Sequence, residues 1–85
     1  MKDQTLKNKQ WLFDHVELEN ARQLKKWGVQ DKTPFEWLAF LTEEVGELAK
    51  AISELEFRNG THREVTDEAI QVATLALKIA EMFMF

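Results

Sequence analysis

The chain has 85 residues, enough for one small domain, and its composition of 45% hydrophobic and 31% charged residues is typical of a folded protein. The absence of cysteine excludes disulfides, thiolate metal sites and a thiol nucleophile. A net charge of −4 argues against nucleic acid as a partner, because nucleic-acid-binding surfaces are usually basic.

The N-terminal sequence MKDQTLKNKQ lacks the apolar segment of a secretory signal peptide. No later stretch reaches the roughly 18 apolar residues that a membrane-spanning helix needs. Together with the absence of cysteine, these features predict a cytoplasmic protein that does not associate with a membrane.

The first helical segment ends in the sequence WGVQDKTPFE. Gly28 is suited to the end of one helix, and Pro34 to the first position of the next. Thr33 and Glu36 have the spacing of a capping box, in which each side chain accepts a hydrogen bond from the backbone of the other. We therefore predict a helix boundary at this stretch.

A second boundary lies in FRNGTHRE. Asn59 and Gly60 readily adopt the backbone conformations that end a helix, and Thr61 with Glu64 has the spacing of another capping box. No strand pattern competes with the helical one. The predicted helices span about residues 4–26, 34–58 and 62–84.

The apolar residues of the second and third helices predict their packing. The second helix has a stripe with alternating three- and four-residue steps, as in a helix bundle. The third helix is apolar over more than half of its circumference, which two neighbours in one small monomer cannot cover. We predict an all-α domain over residues 1–85, with three long helices that complete a four-helix-type bundle as a homodimer or homotetramer. The stripe consists of Leu38, Leu41, Val45, Leu48, Ile52 and Leu55.

Several acids lie unusually close to these apolar faces. At about 100° per residue, Glu44 falls inside the apolar arc of the second helix. Glu47 lies one step further round, and Glu43 points further outward. On the third helix Glu68 falls inside the apolar arc, so that one acid from each helix faces inward.

Two inward carboxylates on adjacent helices need either a shared proton or a cation, because burying an isolated charge is costly. Carboxylate oxygens without sulfur or imidazole neighbours suit a hard ion, Mg²⁺ or alternatively Mn²⁺. A purely structural interpretation is also open. In that case Glu43 and Glu47 are solvated neighbours of Lys50, and Glu64 only closes its capping box.

Three segments within roughly residues 20–84 resemble the MazG-like all-α nucleoside triphosphate pyrophosphohydrolases. They are KWGVQ, PFEWLAFLTEEVGELAKAI and DEAIQVATLALKIAEMF. EEVGEL is the most specific part. That family pairs an E-E-x-x-E motif with an E-x-x-D motif on a later helix, and these acids hold Mg²⁺. The resemblance implies an Mg²⁺-dependent hydrolase that cleaves a nucleoside triphosphate to its monophosphate and pyrophosphate as a dimer or tetramer.

The resemblance also assigns the motif positions. The first motif matches EEVGE at residues 43–47 without a gap. The second matches literally at Glu64 and Asp67, whereas the hydrophobic pattern of DEAIQVA favours Glu68, with Gln71 in place of the aspartate. Because an amide is a weaker, neutral ligand, that second register would weaken metal binding.

Specific roles follow from these matches as expectations. The catalytic base is Glu43 or Glu47. Trp27 and Trp37 are candidates for stacking on the nucleotide base, although both also suit packing around the turn. Lys26 and Gln71 complete the expected substrate contacts. The expected metal ligands are Glu44, Glu47, Glu68, Glu64 and Asp67.

Two other functions are compatible with the sequence. A non-catalytic helical dimerisation module would be indifferent to Mg²⁺. A nucleotide-binding sensor would keep the metal and bind a nucleoside triphosphate without turnover. The inward positions of Glu44 and Glu68 favour the enzyme or the sensor, because an interaction module has little need of buried acids.

Overall fold

A computed structural model describes residues 5–84, and over this range the chain forms three α-helices and no strand. They are α1 (Lys9–Trp27), α2 (Pro34–Phe57) and α3 (His62–Met82). The predicted all-α class is confirmed. Residues 5–8 are not helical, so α1 begins later than predicted. None of the helices in the described range combines the length and apolarity needed to cross a membrane.

The turn between α1 and α2 forms as its sequence predicts. Gly28 has a positive φ of 70°, and its N–H donates to the Leu24 carbonyl at 2.8 Å. The capping box is complete, because Thr33 Oγ1 accepts from Glu36 N at 3.2 Å and Glu36 Oε1 accepts from Thr33 N at 3.0 Å. The hydrogen bond from the Thr33 backbone holds the pKa of Glu36 below its ordinary value.

The turn between α2 and α3 depends on a glycine. Gly60 N donates to the Glu54 carbonyl at 2.8 Å, and a Cβ atom at residue 60 would lie 2.7 Å from the Glu54 carbonyl carbon. Asn59 precedes it with a φ of 65°. Thr61 Oγ1 then accepts from Glu64 N at 3.1 Å. Within the described chain the Glu64 carboxylate does not return the bond, so only half of the predicted capping box forms.

Helix α3 is the central element, since both α1 and α2 pack against it, whereas α1 and α2 make no close backbone contact with each other. This arrangement leaves a cleft over α3, between the other two helices. Side chains from all three helices therefore meet there.

Little of the apolar surface is buried within one chain. Among residues 5–84, the buried hydrophobic side chains are Ala51 and Leu75. The predicted stripe of α2 divides into two lines with seven-residue spacing. The line of Leu41, Leu48 and Leu55 is half-buried, whereas that of Leu38, Val45 and Ile52 is 45–49% exposed.

Helix α1 has the opposite distribution of polarity from a typical packed helix. Its buried side chains are Glu19 and Gln23, while Trp11, Phe13 and Leu18 are about half exposed or more. Hydrogen bonds to each other and to Lys78 of α3 accommodate these two polar side chains against α3.

Candidate functional site

A cleft of about 230 Å³ lies between the three helices. Its lining combines aromatic rings, amides, carboxylates and two cations, which is the mixture expected of a site for a polar ligand with an aromatic part. The lining residues are Arg22, Gln23, Trp27, Gly28, Gln30, Trp37, Phe40, Glu43, Glu44, Gln71, Leu75 and Lys78.

An acid pair, Glu44 of α2 and Glu68 of α3, lies where these helices pack together. In each residue the carboxylate oxygen Oε2 is buried and has no hydrogen-bond partner among the described residues. Burial raises the pKa of Glu44, and the neighbouring Glu68 carboxyl raises it further by hydrogen bonding and charge repulsion. Glu47 and Glu19 add weaker repulsion. The pair therefore favours a shared proton or a bound cation.

The structure places the two registers of the second motif differently. Glu68 contacts Glu44, and Gln71, one turn later on α3, lines the cleft beside Glu44. Glu64 is exposed at the beginning of α3. Asp67 is exposed too and lines a neighbouring depression rather than the cleft. The acid of α3 that pairs with Glu44 is thus Glu68, the residue that the hydrophobic pattern favours for the second motif.

Asp67 has a charge partner of its own. Arg63 Nε lies 3.7 Å from Asp67 Oδ2, and both side chains are more than half exposed. An exposed pair of this kind contributes little to stability. Neither Asp67 nor Glu64 has the burial that sets Glu44 and Glu68 apart.

The two candidates for the catalytic base occupy different positions. Glu43 is exposed and lines the cleft next to Glu44. Glu47 is exposed and does not line the cleft, and it raises the pKa of Glu44 through charge repulsion. The geometry therefore favours Glu43 as a group that can contact a ligand in the cleft.

The five acids expected to be metal ligands do not gather at one point. Among residues 5–84, no group of three or more histidine, aspartate or glutamate side chains is placed to hold a metal ion. Magnesium is commonly bound by one or two carboxylates together with substrate phosphates. The unpaired buried oxygens of Glu44 and Glu68 fit that smaller ligand set.

An aromatic group lines the cleft at its α2 side and near the end of α1. Trp37 and Phe40 meet edge to face, with ring centroids 6.0 Å apart. Trp27 is 50% exposed and offers an accessible ring. Lys26 does not line the cleft, but its ammonium lies 4.9 Å from the Trp27 ring centroid.

A polar network ties α1 to α3 next to the acid pair. Glu19 accepts hydrogen bonds from Arg22 Nε at 2.8 Å, Arg22 Nη2 at 2.7 Å and Gln23 Nε2 at 2.6 Å. Gln23 Oε1 in turn accepts from Lys78 Nζ. Burial alone would raise the pKa of Glu19, but these hydrogen bonds lower it below its ordinary value. Burial lowers the pKa of Lys78, with Glu19 opposing that effect.

No motif in the sequence assigns a role to Glu19, Gln23 or Lys78. A weak signal for them exists, since Lys78 is the sole basic residue after Arg63 and lies in an apolar segment. The spacing of Glu19 and Gln23 also places them on one face of α1. Neither signal identifies the residue across the helix interface.

Comparisons with known proteins do not identify a family. No family model matches the chain, and no curated protein or solved structure matches it either. The resemblance described above therefore depends on the motif residues alone.

Proposed function

We propose that this chain is an Mg²⁺-dependent nucleoside triphosphate pyrophosphohydrolase of the MazG-like type. It would cleave the anhydride between the α- and β-phosphates, releasing the monophosphate and pyrophosphate. The observation that supports this proposal is the acid pair of Glu44 and Glu68 beside an aromatic, partly cationic cleft, because neither buried Oε2 atom has a hydrogen-bond partner within residues 5–84. Unpaired buried carboxylates are unfavourable for folding, so their presence at a cleft favours a functional role.

In this proposal Glu44 and Glu68 would hold Mg²⁺. When bound, the ion would supply positive charge that stabilises the phosphates during hydrolysis. Glu43 lines the cleft next to Glu44, and its carboxylate accepts the proton from the attacking water. Gln71 stands where the resembled motif has an aspartate, and it offers the cleft a neutral amide oxygen in place of a carboxylate.

Substrate recognition depends on the aromatic side of the cleft. The exposed ring of Trp27 stacks on the nucleotide base, and Trp37 with Phe40 forms a second apolar surface. Base stacking alone tolerates many bases, because every base has a flat π-face. We therefore expect activity on several nucleotides, with preferences set by the amides that line the same cleft.

The test is a panel of the common NTPs and dNTPs, incubated with the protein in Mg²⁺ or in EDTA and resolved by chromatography. We expect monophosphate and pyrophosphate only with the metal. Glu44→Gln should lower turnover by at least about a hundred-fold, because metal stabilisation contributes several kcal/mol. Glu56→Gln is the matched control, since Glu56 is exposed on α2 and does not line the cleft.

Two results would refute the proposed function. One is full turnover by the folded Glu44→Gln protein. The other is the absence of product across the whole panel when Mg²⁺ and Mn²⁺ are both supplied. In the second case, tight nucleotide binding without hydrolysis would identify the sensor, and Gln71 would be the first residue to convert to Asp.

We also propose that the chain works as a homo-oligomer. The exposed line of Leu38, Val45 and Ile52 has the seven-residue spacing of helix seams that pack against another helix. Two copies of this line can bury each other. These exposed apolar residues would equally favour an interaction module, but such a module does not account for the unpaired acids.

Sedimentation velocity tests the assembly. The wild-type chain should sediment as a dimer or tetramer, and Val45→Lys should dissociate it. Ser53→Lys adds the same charge at an exposed polar position of α2 and should leave the assembly intact. A monomeric wild-type protein at micromolar concentration would contradict this part of the proposal.

A further inference from the structure

Two cations line the same cleft. Arg22 comes from α1 and Lys78 from α3, and the residues are connected through Glu19 and Gln23. Each retains unused donors. Arg22 uses Nε and one Nη2 hydrogen toward Glu19, and Lys78 uses one of three ammonium hydrogens toward Gln23.

The charge of Lys78 is not balanced by a carboxylate contact. Its hydrogen-bond partner in the described chain is the neutral amide of Gln23, and burial lowers its pKa. The ring centroid of Trp37 lies 5.7 Å from Nζ. Glu19 balances part of the Lys78 charge through space, and a partly buried ammonium whose charge is only partly balanced favours a further anionic partner. The cleft thus has a partly balanced cation as well as the buried acid pair.

Arg22 is held in a defined orientation. Glu19, only 9% exposed, engages two nitrogens of the guanidinium, and the remaining N–H groups belong to a side chain that is 47% exposed. Its Cζ lies 5.8 Å from the Trp27 ring centroid. A planar guanidinium fixed in this way can offer two donors to one phosphate.

We propose that Arg22 and Lys78 form a phosphate-binding subsite that holds the phosphate chain of the nucleotide in the cleft that Glu44 also lines. This inference extends the proposed function and rests on it for the identity of the ligand. A nucleotide bound here has an aromatic base for the tryptophans and an anionic chain for the two cations. Glu19 and Gln23 keep both cations in place before the ligand binds, which reduces the entropy lost on binding.

Inorganic tripolyphosphate is the probe, because it has the charge of the phosphate chain without a base. Its affinity is measured by isothermal titration calorimetry on the full chain, in Mg²⁺ and again in EDTA. We expect Arg22→Met and Lys78→Met each to weaken binding by roughly ten-fold to a hundred-fold, the loss of a charge-assisted hydrogen bond. Lys25→Met removes one exposed charge of α1 outside the cleft and should change affinity by no more than about two-fold.

A second measurement avoids the effect of substitution on folding. In the wild-type protein, NMR follows the Arg22 Nε–H and Lys78 side-chain signals as tripolyphosphate is added. Both should shift and saturate with the calorimetric affinity. Lys78→Arg keeps the charge and should keep most of the binding.

The proposal fails if the wild-type chain does not bind tripolyphosphate under either condition. It also fails if both methionine variants bind as the wild type does, or if the Arg22 and Lys78 signals do not move. Failure of the proposed function is distinguishable. If nucleotides are not hydrolysed but tripolyphosphate binds through these two residues, the subsite stands and the hydrolase does not.

Discussion

Glu19 and Glu44 are both glutamates packed against α3, one from α1 and one from α2, and the structure treats them in opposite ways. Glu19 accepts three hydrogen bonds, and its pKa lies below the ordinary value. The buried Oε2 of Glu44 has no hydrogen-bond partner in the described part of the chain, and the pKa of Glu44 lies above its ordinary value. The chain itself satisfies the first carboxylate, whereas the second is satisfied only by a proton or a ligand.

This contrast separates a structural acid from a functional one. Both lie close to the same cleft, and Glu19 even contributes to the charge repulsion at Glu44. Burial alone does not distinguish them, because both have buried oxygens. Their hydrogen-bond partners do distinguish them, and substitutions of these acids should have different effects on activity and stability.

The largest effect is expected on turnover. Glu68→Gln should lower the rate of nucleotide hydrolysis by at least about a hundred-fold, because it removes half of the acid pair. Asp67→Asn should cost much less, since Asp67 is exposed and paired with Arg63. Steady-state kinetics in Mg²⁺ compare the two variants. A larger loss for Asp67→Asn would mean that the literal register of the second motif is the correct one.

Folding stability should respond in the opposite order. Glu19→Gln should destabilise the chain by about 1–3 kcal/mol, because the donors of Arg22 and Gln23 lose their charged acceptor. Glu44→Gln should be neutral or stabilising without metal, because it removes an unpaired buried charge. Urea denaturation at one protein concentration, in EDTA, measures both. If both variants lost the same free energy of unfolding, the two acids would not differ in their contribution to stability.

Metal should stabilise the wild-type fold through the acid pair. At 100 times its dissociation constant, Mg²⁺ would add about 2.7 kcal/mol to the free energy of unfolding, provided that it binds only the folded chain. Thermal melts with and without Mg²⁺ should therefore differ for the wild type and for Glu19→Gln. They should coincide for Glu44→Gln, and an undiminished metal effect in that variant would place the ion elsewhere.

The smallest effect is the dependence of stability on pH in EDTA. The folded state raises the pKa of Glu44 above 4.5, so its contribution is present below 4.5 and is lost as pH rises through the folded pKa. The folded state lowers the pKa of Glu19, so its contribution is present above 4.5 and is lost as pH falls through the folded pKa.

Denaturation series on both sides of pH 4.5 test these signs. Relative to the wild type, Glu44→Gln should gain stability as pH rises, and Glu19→Gln should gain stability as pH falls. A difference of one unit between the folded and unfolded pKa of either acid changes the free energy of unfolding by about 1.4 kcal/mol. Parallel pH profiles for the wild type and both variants would show that neither acid has a perturbed pKa.

Much of the local structure was predictable because its causes lie within a few residues. The breaks at Gly28 and Asn59–Gly60 and the caps at Thr33 and Thr61 depend on near neighbours. The beginning of α1 was predicted too early, because the helical pattern was extended past Asn8, whose residue type favours the N-cap position that it occupies. The inward position of Glu44 followed from helical periodicity alone.

The three helices, their boundaries at the two turns and the inward faces that carry Glu44 and Glu68 could be derived from the order of amino acids, since they follow from backbone hydrogen bonding and a period of 3.6 residues. The tertiary structure decided which acid of α3 meets Glu44. It also brought Lys78 to Gln23, 55 residues earlier in the chain. Such contacts depend on how helices cross and slide along one another, and no periodicity within a single helix specifies that geometry.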